Sequence, residues 1–183
     1  MTLPPPPNGP PSDADLIAAW REGDEGAAAE LVRRHASAVA RFLGSAGAGD
    51  DVDDLVQDTF FRAFRRIDGY RGGASFRTWV IAISSNALKD TRRRLRRRPT
   101  EPLETDDIPD ERSDPHAELV GQELVERVGV FVRQLPRMQR DVFLLRAQQG
   151  REYDDIAAAL DTTVGAARVH YHHALKRLKE WLE

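Results

Sequence analysis

The stretch DVDDLVQDTFFRAFRRI, residues 51–67, decides the fold. Val52, Leu55, Val56, Thr59, Phe60, Ala63, Phe64 and Ile67 recur at the three-and-four spacing of one helix face. Asp51, Asp53 and Asp54 fall in the first turn, where the helix dipole favours acid, and Arg65 and Arg66 fall in the last. Upstream, Gly44 to Gly49 is a small-residue break. A helix from Asp24 to Leu43 precedes it, with Leu31, Val32, His35, Val39, Phe42 and Leu43 on one side. Before that, Ser12 or Asp13 caps a shorter helix running to about Glu22, with Leu16, Ile17 and Trp20 inward. Downstream, Asp68-Gly69 and Gly72-Gly73 mark a loop, and Ser75 starts a fourth helix that runs to about Arg97 and stops at Pro99.

Residues 99–115 carry Pro99, Pro102, Pro109 and Pro115 among acids and have no apolar period, so they form a flexible acidic linker. A second module follows, with one helix to about Gln134, another from Pro136 to Gly150, a short one over 152–160 and a last one over 163–182. No strand pattern competes. The expectation is an all-α chain of two small helical domains: a Pro-rich disordered tail over 1–11, a first module over 12–98, the linker over 99–115 and a second module over 116–183.

Composition removes several function classes. Cysteine is absent, which excludes disulfides and thiolate metal sites within the chain. No apolar run is long enough to span a bilayer, and the first residues lack the basic and apolar segments of a signal peptide, so a cytoplasmic protein without membrane insertion is expected. The net charge of −3 hides a strong segregation. Arg77, Lys89, Arg92, Arg93, Arg94, Arg96, Arg97 and Arg98 face only Asp90, whereas the linker that follows is almost wholly acidic. Such sorting marks different partners for different segments.

Two constellations carry chemistry. Tyr70, Phe76 and Trp79 flank the start of the fourth helix, and Asn86, Lys89, Arg92 and Arg93 follow along it. Aromatic faces beside a basic track suit unstacked single-stranded bases, and an asparagine can read a base edge. The bland alternative makes Phe76 and Trp79 core residues and the arginines a solvated end. In the second module, Ile156, Ala157 and Leu160, the turn Asp161-Thr162-Thr163 and the helix from Val164 have helix-turn-helix spacing. The last helix carries Arg168, His170, His172, His173, Lys176, Arg177 and Lys179, suited to a major groove and its phosphates. His170 and His173 share a face, but no carboxylate or cysteine completes a metal site, so no metal or other cofactor is expected.

Asp54-Leu55-Val56-Gln57-Asp58-Thr59-Phe60, then Phe76-Arg77-Thr78-Trp79 and Asn86, then Leu135-Pro136 to Arg146, Tyr153 to Ala157 and Val164-Gly165 resemble the extracytoplasmic-function (ECF) sigma factors of the sigma-70 family. The resemblance spans nearly everything from Asp13 to Glu183. It implies that the first module is region two, which binds the clamp of the RNA polymerase core (its beta and beta-prime subunits) and reads and melts the minus-ten element. Asp54, Gln57 and Asp58 would face polymerase. Tyr70, Phe76, Trp79, Asn86, Lys89, Arg92 and Arg93 would serve the minus-ten element, with the loop from Tyr70 to Ser75 helping to form a base pocket. The second module would be region four, with Arg168, His170, His173, Lys176 and Arg177 on the minus-thirty-five element. An anti-sigma partner is also implied.

The chain departs from the family pattern in three places. Asp161 stands where the turn usually has glycine, His170 and His173 stand where arginine or lysine is usual, and Ala166-Ala167 replaces a common Thr-Val pair. The linker has the reach its role needs. Extended, residues 99–115 span at most roughly 58 Å, and one DNA turn is roughly 34 Å, so one chain can touch two sites between one and two turns apart. The alternative is a stand-alone helix-turn-helix regulator, which leaves the Asp54 to Phe60 motif and the basic helix without a role. An enzyme is not expected: Gly44 to Gly49 lacks the Gly-Lys-Ser/Thr ending of a phosphate loop, and no Ser-His-Asp or Glu-x-x-His arrangement is evident.

Overall fold

The computed structural model describes residues 10–97 and 117–183, the side chains of 97 and 117–124 excepted. The linker and nearly all of the Pro-rich tail therefore lie outside the described residues. The rest is helical: α1 (Asp13–Arg21), α2 (Glu25–Ser45), α3 (Val52–Arg65), α4 (Phe76–Arg97), α5 (Ala117–Gln134), α6 (Arg137–Phe143), α7 (Tyr153–Ala159) and α8 (Val164–Leu182).

The helix starts follow side-chain chemistry. Ser12 caps α1 in a reciprocal box with Asp15: the Asp15 N–H donates to Ser12 Oγ at 3.2 Å, and the Ser12 N–H donates to the Asp15 carboxylate at 2.8 Å. Asp24 caps α2 through the Gly26 N–H at 2.8 Å, and Thr163 caps α8 through the Ala166 N–H at 3.1 Å. Two ends differ from the sequence expectation. The second helix continues to Ser45, and the third ends at Arg65, with Ile67–Gly69 forming a separate 3-10 turn.

In the first module, α2, α3 and α4 pack on one another around Leu31, Val39, Phe42, Leu43, Phe60, Ala63, Val80 and Ile81, all buried. Burial of each large apolar side chain contributes about 1.5–3 kcal/mol relative to exposure. Arg21 in α1 donates to the Ile67 carbonyl at 2.7 Å, which fixes the loop entering α4. In the second module α6 and α7 pack on α8, whose Ala167, Tyr171, Ala174 and Leu178 face inward. The helix expected over 136–150 is not uniform. After Phe143 it becomes a π-turn over Leu144–Gln148, closed by the Gln149 N–H on the Leu144 carbonyl at 3.1 Å.

The two modules are docked. One contiguous set of buried apolar residues runs from Leu16 and Leu31 through Val142 and Leu145 to Ala174. The π-turn sends Gln148 to Ser45 Oγ at 2.6 Å and Gln149 toward the Ala38 carbonyl at 3.5 Å.

Candidate nucleic-acid interface and partner surface

The residues of α3 that avoid the core form an exposed ridge. Asp54, Gln57 and Asp58 lie on it, as the sequence motif places them, with Gln57 and Asp54 exposed and Asp58 half-buried. Asp58 pairs with Arg62 at 2.8 Å, and Arg62 also reaches Asp90 of α4 at 2.8 Å. The two carboxylates raise the Arg62 pKa through these bonds. Beside the ridge a groove of about 560 Å³ is lined by Asp51, Asp54, Asp58, Arg62, Arg94 and Leu95. Two apolar side chains stand out of this surface: Phe61 at 62% exposure and Leu95 at 56%. Neither was singled out from sequence. Phe61 was findable, because its helical phase points away from the Leu55–Phe60–Ala63 stripe.

At the start of α4, Tyr70 and Trp79 are half-buried with ring centroids 5.1 Å apart. Tyr70 Oη donates to the Ala74 carbonyl at 2.7 Å, holding the loop in place. Burial pushes the Tyr70 hydroxyl pKa up, so it stays a neutral donor. Phe76 is only 2% exposed. It touches both rings and His35 edge-on, and supports the shelf from beneath instead of offering a free face. Further along, Asn86, Lys89 and Arg93 are exposed. Asn86 is already engaged: its Oδ1 accepts from Arg137 of α6 at 2.8 Å.

Arg92 turns inward. Its guanidinium donates to the carbonyls of Ala46 and Gly47 at 2.7 and 2.9 Å, at the end of α2. Burial pushes its pKa down, with Arg140 and Arg96 adding to that shift. Gly47 is required beside it. Its φ is +84°, and an added Cβ would stand 2.8 Å from Arg133 Cδ and 3.0 Å from the Arg92 guanidinium.

In the second module the turn before α8 has Asp161 at φ 52°, a left-handed residue where the family pattern expects glycine. Arg168 is exposed, and its guanidinium lies 5.5 Å from the Tyr153 ring centre, a cation–π contact that fixes its direction. His173, Lys176 and Arg177 are exposed, whereas His170 is half-buried with its Nδ1 shielded and unpartnered. The most outward ridge of α8 carries Gly165, Val169, His172 and Lys176, one to two turns apart. Val169, at 52% exposure, and His172 thus join the candidate surface, and the inward positions Ala167, Tyr171 and Ala174 are what reveal that ridge. Among the described residues no cluster of His, Asp or Glu could hold a metal ion, and no helix is long and apolar enough to cross a membrane.

An aromatic and basic helix in one module and a helix-turn-helix in the other define a two-module DNA-binding protein. Comparisons with known proteins narrow this. The family model described as Sigma-70 region 2 matches residues 30–98, and that described as Sigma-70, region 4 matches residues 126–178. The ECF RNA polymerase sigma-E factor of Haemophilus influenzae is 29% identical over 94% of this chain and 96% of its own length. That of Escherichia coli strain K12 is 31% identical over 86% of this chain and 87% of its own. Among solved structures, CnrH in complex with the cytosolic domain of CnrY is 29% identical with TM-score 0.70, covering 93% of this chain and 96% of that one. The sigma factor RpoE in complex with the anti-sigma factor NepR from Bartonella quintana has the same fold at 21% identity, with TM-score 0.65, covering 84% and 94%. The chain belongs to the sigma-70 family, in its extracytoplasmic-function group.

Proposed function

We propose that this chain is a promoter-specificity subunit of bacterial RNA polymerase that acts by binding and strand separation, leaving bond-making to the polymerase. The observation that carries this is the Tyr70–Trp79 shelf running onto Asn86, Lys89 and Arg93 along one helix, in a chain that also holds a helix-turn-helix. Residues 12–98 form region two and residues 116–183 region four, joined by the acidic linker. The Asp54–Gln57–Asp58 ridge, with Phe61 and Leu95 beside it, docks on the polymerase core: charges at its rim steer the encounter and the apolar side chains supply the buried contact. Asn86 reads a minus-ten base on the exposed strand while Lys89 and Arg93 take phosphates. Arg168, His172, His173, Lys176 and Arg177 face the minus-thirty-five duplex. An anti-sigma protein controls its access to polymerase in the cytoplasm, in keeping with the complexes of CnrH with CnrY and of RpoE with the anti-sigma factor NepR.

The test is run-off transcription from a library of randomised promoters, with purified core polymerase, with and without the protein. Promoter-specific transcripts that require the chain, falling into two sequence elements, are the expected result. Their absence, with core polymerase active under another sigma factor, would leave a stand-alone regulator. Within the same assay, Asn86→Ala should flatten preference at one minus-ten base by about 1–3 kcal/mol while polymerase binding persists. An equal fall on every promoter would remove that role from Asn86.

A further inference from the structure

Val169 is the apolar member of the outward ridge of α8, 52% exposed among Gly165, His172 and Lys176. A lone exposed valine is ordinary on a protein surface. The surroundings of this one are not. A helical side chain leans toward the N-terminus and covers the turn before its own Cα. For Val169 that turn carries Gly165 and Ala166, the two smallest residues there are. A Cβ built on Gly165 would meet nothing nearer than Thr163 Oγ1 at 4.0 Å. Its φ is not positive either. Glycine is a poorer helix former than alanine, so nothing in the surrounding chain favours it at this position. The result is an open recess in front of Val169.

The rim of the recess is cationic or polar. Arg168 has its guanidinium held over the Tyr153 ring at 5.5 Å, which directs it toward α7. His172, His173 and Lys176 follow within two turns, all exposed. Val169 itself is not among the apolar residues packed against the core. The site therefore offers two methyl groups inside a ring of groups suited to phosphate. Its complement is a polyanion that presents one small apolar group. The base edges of a major groove display donors, acceptors and a single kind of apolar group, the C5-methyl of thymine.

We infer that Val169 is a specificity-determining residue that seats the C5-methyl of one thymine of the minus-thirty-five element. The inference rests on the reading of α8 as the helix that enters the minus-thirty-five groove. Gly165 and Ala166 let the edge of the base pair come close, while the flanking cations take phosphates. The contact excludes water from two apolar groups and uses no hydrogen bond. It therefore separates thymine from uracil, which pair identically.

The test uses core polymerase loaded with the full chain and a promoter duplex carrying the letters selected in the library. Each thymine of the minus-thirty-five element, on either strand, is replaced in turn by uracil, which removes only the methyl. At one position affinity should fall by roughly fourfold, the value of burying one methyl-sized group. In Val169→Ser the same replacement should have no effect, and the exposed position should leave Tm at its native value. A merely structural role would lower Tm and weaken every duplex equally. A uracil scan that never weakens the native complex, or that weakens the Val169→Ser complex as much, overturns the inference, as does a selected element without any A·T pair. Lys176→Ala then separates the causes. If it lowers duplex affinity and reduces the salt slope by about one, α8 lies in the groove and only Val169 falls. If it changes neither, the reading of α8 falls with it.

Discussion

Arg92 belongs to the arginine run that suggests nucleic acid, yet its guanidinium forks onto two carbonyls at the end of α2. Arg92→Ala removes both bonds and leaves those carbonyls with less than full satisfaction. A hydrogen bond to a charged group contributes about 1.5–3 kcal/mol. The guanidinium is only half-buried, so solvent screening holds each bond to the low end, and the pair sums to about 2–3 kcal/mol. For a chain of this size that lowers Tm by roughly 5–10 °C. Arg93→Ala and Arg96→Ala, both at exposed positions, should stay within about 0.5 kcal/mol of the native protein. Arg92→Lys should recover only part of the loss, since an ammonium cannot fork onto two carbonyls in the same way. Thermal and urea unfolding of the four variants decide the matter. An Arg92→Ala protein with native Tm, whose DNA binding has lost about one unit of salt slope, would show that Arg92 spends its charge on a phosphate.

Three further outcomes are expected. His35 is buried against Phe76, which depresses its pKa below the ordinary value despite Asp13 at 2.8 Å; Arg77 and Arg34 add to the depression. Its neutral form therefore stabilises the fold above the ordinary histidine pKa, and that stability is lost as pH falls from there through the lowered value; Tm of His35→Gln should decline less between pH 7 and 5 than that of the native chain. Asp161→Gly should unfold within about 1 kcal/mol of native whereas Asp161→Ala loses about 1 kcal/mol, because the left-handed backbone excludes alanine more than glycine; equal stability of the two would refute the strain. Phe61→Ser should weaken binding to core polymerase by about 1–2 kcal/mol without moving Tm, and an unchanged affinity in a direct titration would remove Phe61 from the docking surface.

The helices were legible because each rests on local signals that repeat. The α3 stripe and a cap at Ser12 or Asp13 can be read from a few neighbouring residues. The surface ridges were half legible. Gln57 and Asp54 fall opposite a clear apolar stripe, but the inward face of α8 is mostly small and aromatic, so the sequence reading named His170 and passed over His172, whereas Ala167 and Tyr171 facing inward leave His172 the more exposed of the two. Module docking was not legible. It depends on residues far apart in the chain, such as Arg137 with Asn86, Asp155 with Ser75 and Gln148 with Ser45, 51 to 103 positions apart, and these contribute no period to the sequence. Arg92 was misleading for a related reason. An arginine that satisfies backbone carbonyls has the same neighbours in sequence as one that awaits a phosphate.

The seam between the modules combines a shared apolar core with polar contacts. The apolar part, which includes Leu31, Val39, Val142 and Leu145, favours closure, because opening it would expose hydrocarbon to water. The polar contacts here gain much of their energy back from water when the seam opens, which keeps the net contribution of each to about 0.5–1.5 kcal/mol, rising toward 3 where a charge is involved. Closure also bears a cost that opening removes. Burial pushes the Asp141 pKa up against the opposing effects of Ser85, Arg140 and Arg137, and the buried Arg140 has its own pKa pushed down. Asn86 is only partly engaged by this seam: the Arg137 guanidinium at 2.8 Å takes one of the two lone pairs of its carboxamide oxygen, and the side chain remains exposed.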